Sequence, residues 1–305
     1  MKHDAFPDLA LGSAMWGWTV GRNTAFQLLD YFYESGFRRI DGATNYPIDK
    51  NPGHFRLSEQ ILAEWTRVNQ VNDLRVIMKV GSLDNMRSPD HNLTKSFLLL
   101  AMDHYGALFG GNLDTLMIHW DNRDDEAAIR ESYEALAIAQ EKGIAAGLSG
   151  IRRPEIHALV NQAFGLDPLI QIKHNLLYSD YERYAPFHGK RRFIAYGINA
   201  GGIKLEKENY TGKSSLIARG GIPDEGFANK VRNFLNALDQ RSFPAPLTSF
   251  NQLAMIHAFY SPGLAGILVG PSGIAQLADT IQFYSLLREG AYASVYSVLP
   301  AGNQA

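Results

Sequence analysis

The runs Ile40-Asp41-Gly42-Ala43-Thr44-Asn45-Tyr46, Val76-Ile77-Met78-Lys79 and Leu116-Met117-Ile118-His119 decide how this chain reads. Each is a short apolar stretch that delivers an ionisable side chain at its C-terminal end. If the three are consecutive parallel strands of a closed barrel, Asp41, Tyr46, Lys79 and His119 converge at one mouth, the end where α/β barrels carry their chemistry. A carboxylate, a phenol, an ammonium and an imidazole gathered there suit proton transfer to a carbonyl oxygen.

Outward from these runs, short apolar segments alternate with longer amphipathic ones along the whole chain, the pattern of parallel strands joined by helical crossovers. Eight alternations predict strands near Leu9 to Met15, Arg38 to Asp41, Arg75 to Val80, Thr115 to His119, Ala145 to Ser149, Leu169 to Lys173, Phe193 to Tyr196 and Gly266 to Val269. Helices are expected at Asn23 to Ser35, Leu57 to Arg67, Asn92 to Tyr105, Asp125 to Lys142, Pro154 to Ala163, about Gly226 to Gln240, and Ile274 to Arg288. Asp124 or Asp125 can cap the fourth of these and Pro154 suits a first helical turn. The fold class predicted is α/β, a single (β/α)8 TIM barrel over residues 1–305, with long loops after strands 2 and 7. Those loops are Pro47 to Leu57 and the Gly-rich, charged stretch from Gly197 to Pro246, and loops of that length usually serve function.

Bulk composition narrows the function classes. Hydrophobic content of 46% and charged content of 20% describe an ordinary globular chain. A formal net charge of −2 supplies no overall pull toward nucleic acid or anionic lipid. The short basic cluster Lys190-Arg191-Arg192 reads as a solvated strand entrance. With no cysteine, disulfides, thiolate catalysis and Cys-ligated metals are excluded. The nine histidines form no H-x-H or H-E-x-x-H spacing, so a metal centre is not expected. Met1-Lys2-His3-Asp4 lacks the apolar stretch of a secretory signal and no run reaches a membrane span, so a cytoplasmic location is expected.

Taken in order, the motifs resemble those of the aldo-keto reductase superfamily over nearly the whole chain. Asp41 with Tyr46 five residues on, Lys79 ending the third strand and His119 in Met117-Ile118-His119-Trp120 match its ordered set. Gly147-Leu148-Ser149-Gly150, Gln171, Ala195-Tyr196-Gly197, and Val269-Gly270-Pro271-Ser272 through Gln276-Leu277 continue it, as does Ser58-Glu59 opening a helix. The resemblance implies reduction of an aldehyde or ketone, sugars included, by hydride from a nicotinamide cofactor, or the reverse. Tyr46 would be the general acid, Lys79 the ammonium that lowers its pKa, Asp41 the anchor of Lys79, and His119 a hydrogen-bond donor to the same oxygen.

The resemblance further implies that Ser149 and Gln171 hold the carboxamide, Tyr196 stacks on the nicotinamide, and Gly197 and Gly201 let backbone approach the pyrophosphate. Gly270, Ser272 and Gln276 would face the adenosine phosphate. NADP(H) is the family default. Yet that last loop carries no Arg or Lys for a 2′-phosphate, which keeps NAD(H) open and would demand a basic residue from elsewhere, such as Arg219. Gly150 stands where the family usually has an amide side chain. Trp18, Phe55 and Trp120 are candidates for an aromatic substrate wall, and Trp16 serves equally well as wall or core. The polar Pro47 to Leu57 insertion, with Asp49, Lys50, His54 and Arg56, could add substrate contacts.

Two other readings use the same barrel. A Schiff-base aldolase could employ Lys173, which would need burial or a neighbouring cation to lower its pKa. A regulatory module could bind the cofactor with little turnover.

Overall fold

The computed structural model describes residues 6–189 and 192–299. Met1 to Asp4, Lys190 and Arg191, on which two of the sequence readings rest, lie outside the described residues. In chain order the strands are β1 (Asp8–Gly12), β2 (Arg39–Ala43), β3 (Arg75–Val80), β4 (Leu113–His119), β5 (Ala145–Ser149), β6 (Leu169–Asn175), the two-residue β7 (Tyr178–Ser179), β8 (Arg192–Tyr196) and β9 (Leu264–Val269). All but β7 pair in parallel, and β9 against β1 together with β5 against β6 closes them into an eight-stranded barrel. β7 folds back antiparallel on the end of β6.

Strand periodicity builds two cores. On β3, β4 and β8 the alternate residues Ile77, Met117 and Ile194 form a small cluster inside the barrel, with Leu169 and Leu268 against it. Their neighbours Val76, Met78, Leu116, Ile118, Phe193 and Ala195 face the other way, into the large core shared with the helices. Counting two residues along β3 and β4 from Ile77 and Met117 reaches Lys79 and His119, so these polar groups share the inner face above an apolar floor. Gly147 lies opposite Met117 in the register, and a Cβ there would collide with the methionine side chain, so glycine makes room for that floor.

The outer layer comprises α1 (Arg22–Glu34), α2 (Leu57–Val68), α3 (Lys95–Phe109), α4 (Glu126–Glu141), α5 (Pro154–Phe164), α6 (Ser215–Ala218), α7 (Glu225–Ala237), α8 (Phe250–Tyr260), α9 (Ile274–Arg288) and α10 (Ala293–Tyr296). Asp125 caps α4 by accepting from the Ala127 and Ala128 amides, and α5 opens on Pro154 and closes on Gly165 at φ 63°.

Four differences from the sequence expectation have local causes. β1 stops at Gly12 because Trp16 N–H bonds back to Ser13 and Gly17 N–H to Val20, turning the chain. α3 starts after Thr94, which caps it, rather than at Asn92, whose Oδ1 accepts from Thr94. The crossover from β6 to β8, where the sequence reading names no helix, contains a 3₁₀ helix, Tyr181–Phe187. Past the long Gly197 to Pro246 segment stands α8, held by a capping box between Ser249 and Gln252.

Candidate active site

Tyr46 sits on a turn held from both flanks. Past β2 the Thr44 amide donates to Lys79 O at 2.9 Å and the Tyr46 amide to Ala43 O at 3.1 Å. On the far side the first turn of α2 captures the backbone, the Ser58 amide donating to Tyr46 O at 3.3 Å and the Ser58 hydroxyl to Ser13 O at 2.9 Å. Beneath the turn runs a buried relay in which Tyr105 OH donates to Glu59 Oε2 at 2.6 Å and lies 2.9 Å from Thr44 Oγ1. Arg56 pairs with the same Glu59 carboxylate.

Inside the mouth, Lys79 Nζ forms a buried ion pair with Asp41 Oδ2, while Gln171 Nε2 donates to Asp41 Oδ1. The ammonium lies 4.9 Å from the centroid of the Tyr46 ring. The imidazole of His119 stands edge-on to that ring, with centroids 6.2 Å apart at 89°. Asp41, Lys79, His119 and Gln171 are all buried, and Tyr46 is half-buried. The structure therefore brings Asp41, Tyr46, Lys79 and His119 together, as their strand-end positions suggest.

The electrostatics differ from a simple lowered phenol. Burial pushes the Tyr46 pKa up from its ordinary value, with the Lys79 charge opposing. Burial also penalises the Lys79 ammonium, but Asp41 and Tyr46 outweigh that and hold its pKa above the ordinary lysine value. Burial first, and then the nearby Lys79 charge, push His119 well below the usual histidine range, so its imidazole is neutral at pH 7.

The remaining sequence candidates distribute around the rim. Ser149 is buried opposite His119 in the β4–β5 register and opposite Gln171 in the β5–β6 register. Gln171 turns its amide to Asp41 and Lys79, so its present partners are the buried ion pair. Tyr196 is half-buried at the end of β8. Gly197 adopts φ 66°, with Asn175 Nδ2 donating to its carbonyl at 3.0 Å. Gly201, at φ 88°, packs under Leu216 of α6. Gly270 is exposed with open space around it, and the Ser272 amide and hydroxyl both bond Gln276 Oε1, at 2.9 and 3.0 Å.

These positions come from the adjacent ends of β5, β6, β8 and β9, and at the same mouth the buried His119 Nδ1 has no protein partner among the described residues. Gly150 explains itself. At φ 65°, any Cβ it carried would run into the Trp120 ring, which lies 4.5 Å from the His119 ring. Indole at position 120 thus occupies the room that a side chain at position 150 would need.

Trp18 and Phe55 are half-buried on the loops after β1 and β2. Trp16 is core, only 1% exposed. In the Pro47 to Leu57 insertion, Asp49 bonds His54 Nδ1 and Asn85 Nδ2, so these polar groups tie two loops together. Lys173 is exposed beside Tyr178, without the burial an aldolase amine needs.

Sequence reasoning missed several participants. Tyr105 carries no motif that would link it to Tyr46. Asp121, fully buried, accepts from Arg123 and lies 3.1 Å from His157 Nε2, bracing the loop that follows His119. An acidic residue shortly after His119 was the available signal, but its partner His157 is distant in sequence.

Two comparisons bear on this arrangement. A protein of Saccharomyces cerevisiae named as an aryl-alcohol dehydrogenase, AAD3, is 28% identical over 181 residues, which is 54% of this chain. The match spans about half the length of that protein, 47%. The profile of the aldo/keto reductase family matches residues 8–295, nearly all of the barrel whose mouth carries Asp41, Tyr46, Lys79 and His119. This chain belongs to the aldo/keto reductase family.

Proposed function

We propose that the protein interconverts an aldehyde or ketone and its alcohol, with Tyr46 as the acid and base at the reacting oxygen. The observation that carries this reading is the Lys79 ammonium held between the Asp41 carboxylate and the face of Tyr46. A nicotinamide dinucleotide, when bound, supplies or accepts the hydride. Ser149, Tyr196, Gly197, Gly201, Gly270, Ser272 and Gln276 are the residues we assign to holding it, with Gln171 shared between that role and the ion pair.

Reduction leaves negative charge on the carbonyl oxygen, and the phenol of Tyr46 neutralises it by giving up its proton. The phenolate so formed is stabilised by Lys79, whose charge is kept in place by Asp41. Neutral His119 donates a hydrogen bond to the same oxygen, orienting it without placing a second cation beside Lys79. Because burial raises the phenol's pKa, Tyr46 is protonated at neutral pH and ready for reduction. Oxidation of the alcohol needs the phenolate and speeds up as pH rises.

Aromatic groups at Trp18, Phe55 and Trp120 support a carbonyl substrate with an aromatic ring, consistent with the name of the yeast relative. Since the Gly270 to Gln276 loop presents no basic side chain, we expect NADH and NADPH to be used with kcat/KM within about 10-fold of each other. Initial rates with both cofactors check this. Tyr46→Phe lowers carbonyl reduction by about 10²–10⁴-fold while dinucleotide binding, followed by fluorescence quenching, persists. Full turnover by that variant would remove Tyr46 from the reaction. A second reading, cofactor binding with little turnover, gains no support from the geometry.

A further inference from the structure

Two guanidinium groups stand at the mouth with no carboxylate against them. Arg219 follows α6 in the long segment after β8, yet its Nη2 reaches the segment after β1, donating to Met15 Sδ at 3.4 Å. Arg87, in the segment after β3, donates through Nε to Ile48 O at 3.3 Å, two residues beyond Tyr46. Several arginines of this chain pair with acids, among them Arg22 with Glu64, Arg38 with Asp73 and Arg39 with Asp8. Neither Arg87 nor Arg219 has such an ion pair among the described residues, and both are exposed.

A guanidinium offers five donors in a planar fork, and a thioether is a weak acceptor, so Arg219 is under-satisfied where it lies. The two cations also feel each other: crowding by protein lowers the Arg219 pKa, Tyr46 opposes, and Arg87 lowers it further. Arg219 in turn acts on the Tyr46 phenol. An oxyanion bound between them relieves the repulsion and fills the fork, most effectively in bidentate geometry.

Position tells substrate from cofactor. Met15, Ile48 and Arg87 follow β1, β2 and β3, which are adjacent in the barrel, and Trp18 and Phe55 lie on the same loops. The residues assigned to the dinucleotide follow β5, β6, β8 and β9, the other arc. Arg219 follows β8, in the dinucleotide arc, but its guanidinium bonds Met15 in the segment after β1 that also carries Trp18. We infer that Arg219 and Arg87 recognise a carboxylate carried by the carbonyl substrate, making the preferred substrate an anionic aldehyde or ketone. This rests on the carbonyl-reduction reading, whose own test is turnover.

The test is calorimetric binding to protein saturated with oxidised dinucleotide, comparing 4-formylbenzoate with its neutral isostere 4-formylbenzamide. Binding is expected to be about 10–100-fold tighter for the carboxylate. That ratio falls in R219Q and in R87Q, approaches one in the double variant, and is partly kept in Arg219→Lys, which retains charge without the fork. Equal affinities in the wild type, or no measurable binding of either compound, would overturn the inference. So would an unmoved ratio accompanied by weaker dinucleotide binding in R219Q, which would place Arg219 on cofactor phosphates. Because the titration needs no catalysis, a protein that binds the carboxylate selectively but reduces nothing would defeat the reaction and spare the site.

Discussion

Lys79 is the residue on which the chemistry turns, because it is buried and charged at once. Replacing it by methionine removes the cation that opposes the burial-driven rise of the Tyr46 pKa. Lys79→Met should therefore shift the rising limb of alcohol oxidation to higher pH, and a pH profile of kcat/KM between neutrality and strong alkali reads it. Gly150 tests a different residue-scale claim. Gly150→Ala meets both a left-handed backbone and the Trp120 ring, and should cost about 2 kcal/mol by urea unfolding. In a Trp120→Ala background the cost should fall to about 1 kcal/mol, the backbone term alone.

Elements act through the turn that carries Tyr46. α2 holds its backbone through Ser58, and α3 supports it from below through Tyr105, whose hydroxyl serves both Glu59 and Thr44. Tyr105→Phe leaves a buried carboxyl with one partner fewer, so a loss of about 1–3 kcal/mol is expected in thermal or urea unfolding. A reduced kcat without a matching change in dinucleotide affinity would mark its positioning role. At this scale the strands and most helices were legible because burial on one or both faces imposes a period on the sequence. α8 was not, since Phe250-Asn251-Gln252-Leu253-Ala254-Met255-Ile256 is apolar nearly all round and follows a long irregular segment. The 3₁₀ helix between β6 and β8 was equally hidden: Pro186 permits such a tight path, but composition does not require one.

Across the whole molecule, buried histidines make stability depend on acid. His174 on β6 stacks on His257 of α8 with centroids 4.6 Å apart, and burial lowers both from 6.5 to about 4, helped at His174 by its neighbour. Each group is neutral in the folded state and protonates first in the unfolded chain. Their contribution is present above about pH 6.5 and is lost as pH falls toward 4, at about 1.4 kcal/mol per pKa unit. His119 adds in the same direction. Urea unfolding from pH 7 to pH 4 should show this slope, and His257→Gln should flatten it.

The sequence by itself determined the barrel and the strand-borne polar groups Asp41, Lys79 and His119, because strand period and an apolar floor leave little freedom over which side chains face the mouth. Motif order added the family. Only the tertiary structure decided which of the aromatic residues were core, that Gln171 joins the Asp41–Lys79 pair, and that Arg219 crosses to Met15. Those contacts join residues far apart in the chain, from loops whose paths follow from packing rather than from any local pattern.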